Sequence, residues 1–265
     1  MTAYTTVARN PATGSENRIH SDEVARRHGF RGGLVPGVTV YGYVVTALLG
    51  RPGFGDEWAE RGEASVRLRS PCYDGDRVEV ELTDAGERSV DIQVRVGDAA
   101  CVTGRASVPA EAEAPPGRSV PWAAGPAPDR VDRPQASPAT LAAGTVLGTI
   151  TVGTDAEAVA AYLDRIGAYE LGGGGRIHPG MLLEGANWVL SANVVLPPWI
   201  HAGSEIRHYR AVGIGEPLEV AARVEREWEH ERGHRFVELE VAWTAGGELV
   251  ATGRHVAIWQ PAVTA

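Results

Sequence analysis

VRLRSPCYDGDRVEV (residues 66–80) and IRHYRAVGIGEPLEV (residues 206–220) align without a gap. Arg67, Gly75, Glu79 and Val80 recur as Arg207, Gly215, Glu219 and Val220, and Asp76 is answered by Glu216. Four identities in fifteen columns exceed the roughly one expected by chance from residue frequencies. Working outward, LVPGVTVYGYV (34–44) lies over IHPGMLLEGAN (177–187), and CVTGRASV (101–108) lies over VATGRHVA (250–257). The separation drifts (36 to 179, 66 to 206, 103 to 252), as it does when two copies of one unit differ in loop length.

Each copy follows the same order. A Pro-Gly opens a mostly apolar run, PGVTVYGYVVTALL (36–49) and, after Pro179, GMLLEGANWVLSANVV (180–195), which predicts a helix buried on most sides, with proline where a helix start accepts it. Alternating stretches follow: ASVRLRS, RVEVEL and VDIQVRV in the first copy, LEVAARVE, RFVELEVAW and ELVATGRHVAIW in the second. A period of two with short turns predicts antiparallel strands. A long buried helix followed by such strands must lie in the concave face of their sheet. The predicted units are 1–108 and 141–265, joined by a Pro/Ala-rich linker over 109–140 that has no hydrophobic period.

With 265 residues, 43% of them apolar, the chain can bury a large core. A net charge of −9 argues against nucleic acid and anionic membrane, both of which need a basic face. No run approaches the roughly 20 apolar residues of a membrane span, and MTAYTTVARN lacks the apolar centre of a signal peptide, so a cytoplasmic location is expected. Cys72 and Cys101 are read as small apolar fillers of two strands.

Ahead of the first helix stands GSENRIHSDEVARRHGFRGGLVPGV (14–38). This run resembles the signature of MaoC-like enoyl-CoA hydratases and dehydratases: Gly-Asp-x-Asn-Pro-x-His, a short helix, then Gly-Phe and a turn into the central helix. Gly14, Asn17 and His20 match, Gly29 and Phe30 supply the Gly-Phe, whereas Ser15 stands at the catalytic aspartate and Arg18 at the proline. The whole chain resembles the double-hotdog members of that group, so the resemblance implies an α+β double-hotdog fold. It also implies hydration of an enoyl thioester, or the reverse dehydration, with neither metal nor redox cofactor.

In that scheme His20 is the acid/base, since imidazole titrates near neutrality. Glu16 or Ser15, with Asn17, handles the water, and the Gly37 amide at the helix mouth holds the enolate oxygen. The implied substrate-binding residues are Arg31, Val35, Pro36, Tyr41, Tyr43 and, from the second copy, His178, which aligns with Val35. Arg26, Arg27, His28 and Arg31 would meet the phosphates of coenzyme A or pantetheine. The expected partner is a small acyl thioester, on coenzyme A or on an acyl carrier protein, in a monomeric pseudo-dimer or a homodimer. Three alternatives stay open: a thioesterase, an isomerase or cyclase of a secondary-metabolite pathway, and an acyl-thioester binding protein that catalyses nothing. For His20 itself the alternative is a polar residue at a helix start.

The second copy carries GGGGRIHPGM (172–181) in place of the motif and is expected to lack the short helix, to have lost its site and to form the wall of the substrate channel. Its glycines read as a loop, because no Gly-Lys-Ser/Thr follows them. Asn187 and Trp188 on its helix are candidates for the acyl pocket. HERGH (230–234) spells a zinc-peptidase pattern but sits between two strand-like stretches, so it reads as a hairpin tip. PPWIHAGSE (197–205) gathers Trp199, His201 and Ser204 before a strand, and resembles a stretch in the second half of this family; it suggests no particular role.

Overall fold

The computed structural model describes residues 2–168 and 175–262; the first three glycines of the 172–175 run lie outside them. The first lobe contains strand β1 (Thr2–Val7), helices α1 (Asp22–Arg27), α2 (Gly37–Leu49) and α3 (Gly55–Arg61), and strands β2 (Glu63–Leu68), β3 (Arg77–Asp84), β4 (Ser89–Val96) and β5 (Ala99–Ser107). The second contains β6 (Val146–Val152), α4 (Ala156–Ile166), α5 (Gly180–Asn193), β7 (Ile200–His208), β8 (Leu218–Glu229), β9 (Arg235–Ala245) and β10 (Glu248–Gln260). All strands form one antiparallel sheet in the order β1-β3-β4-β5-β2-β7-β10-β9-β8-β6, whose two halves are the same five-strand pattern in mirror order.

The halves join where β2 pairs with β7, and there Ser65 lies opposite Glu205. These two residues are also equivalent in the repeat, so a pseudo-twofold axis passes between them. The repeated residues are explained by the geometry they share. Gly75 and Gly215 both turn the chain at φ +80°, which favours glycine. Inside the same turns Asp76 accepts from the Tyr73 N–H at 2.9 Å and Glu216 from the Gly213 N–H at 3.0 Å. Gly104 and Gly253 pass so close to the backbone oxygens of Ser65 and Glu205 that a side-chain carbon at either would collide.

Helices α2 and α5 pack together against the sheet, and every residue of α2 from Val38 to Leu48 is buried. The indole N–H of Trp243 in β9 donates to the Leu182 carbonyl of α5 at 2.8 Å, satisfying both groups in the core. Among the described residues no helix is long and apolar enough to cross a membrane.

Two expectations are corrected and one is met. The second lobe does have a helix ahead of its central one: α4 is capped by Asp155, whose carboxylate accepts from Ala158 N–H at 2.9 Å, and ends at Gly167 with φ +66°. Its Val159, Tyr162, Leu163 and Ile166 form a buried stripe at helical spacing, a pattern lying upstream of the glycine run. The edge strands β1 and β6 were not foreseen, and Cys72 lies in the connection before β3 rather than in a strand. HERGH is the β8–β9 hairpin tip, with Gly233 at φ +78° and the His230 N–H donating to the His234 carbonyl at 2.8 Å.

Candidate functional site

A cavity of about 260 Å³ opens between the lobes. The first lobe gives it the segment that carries His20, the amino end of α2, and both cysteines; the second gives Asn187 and Trp199–Ala202, with His234 and Ala262 at the rim. Its walls are largely apolar, and among the described residues no aspartate or glutamate lines it.

His20 ends a 3-10 turn, Arg18–His20, capped by Asn17. Ile19 anchors that turn in a small core with Ala25 and Leu34. Gly33 runs so close beneath the His20 carbonyl that only glycine fits there, and its N–H donates to Asp22 at 2.8 Å. His20 Nδ1 lies 2.7 Å from the Leu34 carbonyl, which can only accept, so Nδ1 carries the proton and donates it. Nε2 is then the basic nitrogen, and it accepts from the Asn17 amide at 3.2 Å. Burial lowers the His20 pKa, opposed by the bond to Leu34.

Asn17 is the bridge between lobes. Its amide donates to the Trp199 carbonyl at 2.9 Å while its oxygen accepts from the Trp199 N–H at 3.1 Å, pairing with the backbone as a strand would. Ser15 braces this loop by donating to the Asn17 carbonyl at 3.1 Å and does not line the cavity.

Glu16 departs from expectation. It turns outward, half exposed, to Arg130 at 2.5 Å and Arg133 at 3.0 Å in the linker, and does not line the cavity. Two arginines outbid one water for an exposed carboxylate. Arg133 also donates to the Ser191 carbonyl at 2.6 Å, so this arginine fastens the linker to both lobes.

Gly37 and Val35 line the cavity and Pro36 forms the helix cap. The N–H groups of Thr39 and Val40 return to the Pro36 carbonyl, leaving those of Gly37 and Val38 without an acceptor among the described residues. A side-chain carbon on Gly37 would collide with Leu68 and lie 2.7 Å from His201 Nδ1.

Most of the remaining expected residues lie elsewhere. Arg31 pairs with Asp76 and stacks on Tyr73, while Arg26 and Arg27 pair with Asp22 and Glu23, so the basic cluster is largely neutralised. Tyr43 accepts from the Arg9 backbone N–H at 3.1 Å, and Tyr41 is buried with an unpartnered hydroxyl; both rings belong to the core rather than to the cavity wall. His178 lines a separate cavity of about 160 Å³, the second-lobe counterpart of the first, where its Nδ1 accepts from the Gly180 N–H at 3.1 Å and burial lowers its pKa to about 3. Trp188 is exposed, whereas Asn187 and His28 do line the main cavity.

The sequence reading assigned no role to His201, yet it lines the cavity opposite His20. Its Nε2 lies 2.8 Å from the Ser204 hydroxyl, which lies 2.9 Å from His255 Nδ1, and the two imidazoles stack with centroids 4.5 Å apart. Residues three apart face opposite sides of a regular strand. Here Gly203 pairs with Val256 but His201 with Ala257, so Ala202 is an inserted bulge residue that turns His201 and Ser204 to one face. Among the described residues no three His, Cys, Asp or Glu side chains converge to hold a metal ion.

The sequence matches no protein-family model and no curated protein. The fold matches solved structures along nearly its whole length. A protein described as a MaoC-domain dehydratase from Chloroflexus aurantiacus is 9% identical, with 98% of this chain and 94% of that chain covered and a TM-score of 0.65. A double-hotdog protein from Mycobacterium tuberculosis is 17% identical, with 97% and 96% covered and a TM-score of 0.57. One described as an oleoyl thioesterase from Lactobacillus plantarum is 10% identical, with 98% and 97% covered and a TM-score of 0.53. Two five-strand units, each wrapped on its own central helix and joined edge to edge in one chain, make this protein a double hotdog.

Proposed function

We propose that the chain binds a small acyl thioester in the cavity between its lobes and moves a proton with His20, hydrating an enoyl thioester or dehydrating the 3-hydroxyacyl product. The observation that carries this reading is the orientation of His20. Its Nδ1–H is held by the Leu34 carbonyl, so the basic Nε2 belongs to the cavity that Gly37 also lines. The Asn17 amide donates to Nε2 and is the contact that a reacting water or substrate hydroxyl would replace. The thioester oxygen, as it becomes an enolate oxygen, would take the vacant N–H of Gly37 at the positive end of α2. A cavity of about 260 Å³ suits a short acyl group better than a long one.

That no carboxylate among the described residues lines the cavity favours a second reading: hydrolysis of the thioester, for which one base acting on water suffices. Crotonyl-CoA separates the two, because hydration removes the conjugated double bond and hydrolysis releases a thiol. His20→Ala should abolish turnover with an unchanged circular dichroism spectrum. In the native chain kcat/KM should fall as pH drops through an apparent pKa below 6.5, because burial lowers the pKa of His20 and its neutral form is the base. Full turnover by His20→Ala refutes the assignment.

A further inference from the structure

We infer that His201 is a second substrate-contacting residue, whose Nδ1–H joins the Gly37 amide in holding the thioester carbonyl oxygen, and that Ser204 and His255 set the tautomer that makes Nδ1 the donor. The inference deepens the proposed function and rests on it for the identity of the ligand.

His201 is only 4% exposed, yet its Nδ1 has no hydrogen-bond partner. A polar atom left unpaired at such depth costs stability unless a ligand or water takes it. This nitrogen lies beside Gly37, 2.7 Å from where a side-chain carbon would stand, in the wall of the same cavity. The two groups, one from each lobe, are thus near enough to reach a single oxygen.

The hydroxyl of Ser204 has one proton to give, and it lies between two imidazole nitrogens. If Ser204 donates to His201 Nε2, the proton of that neutral ring resides on Nδ1 and faces the cavity, and His255 Nδ1–H donates to the Ser204 oxygen. The opposite arrangement leaves Nδ1 bare beside a helix amino end. Among the described residues no N–H of α2 donates to Nδ1, the bond that a bare nitrogen there would accept. Burial lowers the His201 pKa to about 4, opposed by a contact with the Gly203 backbone, so the ring is a neutral donor near pH 7. The end of α2 disfavours the imidazolium in the same direction.

Two measurements test the inference. Nitrogen-15 NMR of the histidine side chains in the ligand-free protein should show His201 protonated at Nδ1 at pH 7, with the preference lost in Ser204→Ala and restored in Ser204→Thr. A bare Nδ1 in the native chain overturns the inference and leaves the role of His20 standing.

The second is the carbonyl stretch of [1-13C]crotonyl-CoA bound to His20→Ala, in which turnover is blocked. The band should lie below its position in free solution, return most of the way when His201→Ala is added, and stay low with His201→Asn, whose amide nitrogen falls near the place of Nδ1. In the otherwise native chain His201→Ala should reduce kcat about 10²- to 10³-fold with KM little changed, and His201→Asn by much less. If the alanine variant fails to fold, the asparagine and Ser204 variants decide. An identical band with and without the imidazole overturns the inference alone. Failure of the native chain to bind crotonyl-CoA overturns the thioester reading, and the inference with it.

Discussion

Lowering the pH from 7 to 5 should remove much of the stability of this fold, and buried imidazoles set the amount: His178, His201 and His208, with further contributions of the same sign from His255 and His20. Burial holds His201 and His208 at about 4 and His178 at about 3, against about 6.5 in an unfolded chain. Below pH 6.5 the unfolded chain binds protons that the native rings refuse, so stability is complete above that pH and falls toward the folded pKa values. At about 1.4 kcal/mol per pH unit, each ring costs about 2 kcal/mol by pH 5 and the three together about 6, comparable with the whole stability of many domains. Carboxylates remain mostly ionised over this window and add little to the slope.

His208 isolates one contribution. Its Nε2 has no partner, its ring meets Trp58 edge-on at 5.0 Å, and its counterpart in the first lobe is Leu68. His208→Leu therefore replaces a titrating ring by the side chain that the other lobe already uses. Urea unfolding followed by tryptophan fluorescence at pH 7, 6 and 5 should show the variant losing about 2 kcal/mol less than the native chain over that range. A difference between the two proteins that stays constant with pH refutes the reasoning.

Two further outcomes are expected. Gly37→Ala brings a methyl group against Leu68 and His201, so it should cost about 1–3 kcal/mol in thermal unfolding and lower crotonyl-CoA turnover about 10²-fold or more. Glu16→Gln should change turnover by less than about twofold and stability by less than about 1 kcal/mol, because the carboxylate is half exposed, lies outside the cavity, and leaves Arg133 its bond to the Ser191 carbonyl; a tenfold loss of rate would make Glu16 a reacting carboxylate after all.

The duplication was legible because several of its repeated residues, Gly75/Gly215, Asp76/Glu216 and Gly104/Gly253, occupy backbone positions that tolerate few alternatives. The central helices and the strands that follow them were legible from periodicity. The edge strands were not: TAYTTV is polar and short, and the pairing of β1 with β3 is a tertiary fact. Within the site, residues 14–38 announced themselves through local spacing, but spacing cannot say which way a side chain turns. Glu16 faces the linker because Arg130 and Arg133, more than a hundred residues away, lie there. His201 and Ser204 were visible as residues and hidden as a pair, since a bulge at Ala202 breaks the alternation by which strand faces are read.

The junction at Ser65 and Glu205 has a further consequence. A symmetric homodimer must give both partners the same residues, so any helix that obstructs one groove obstructs its twin. Covalent fusion lifts that obligation: Tyr162 and Ile166 of α4 press against Gly42 of α2 on one side, where a hollow of about 160 Å³ is left, while the other keeps one of about 260 Å³. A fused pair of this kind can therefore let its halves diverge in what they place against their central helices without breaking the continuous ribbon that both share.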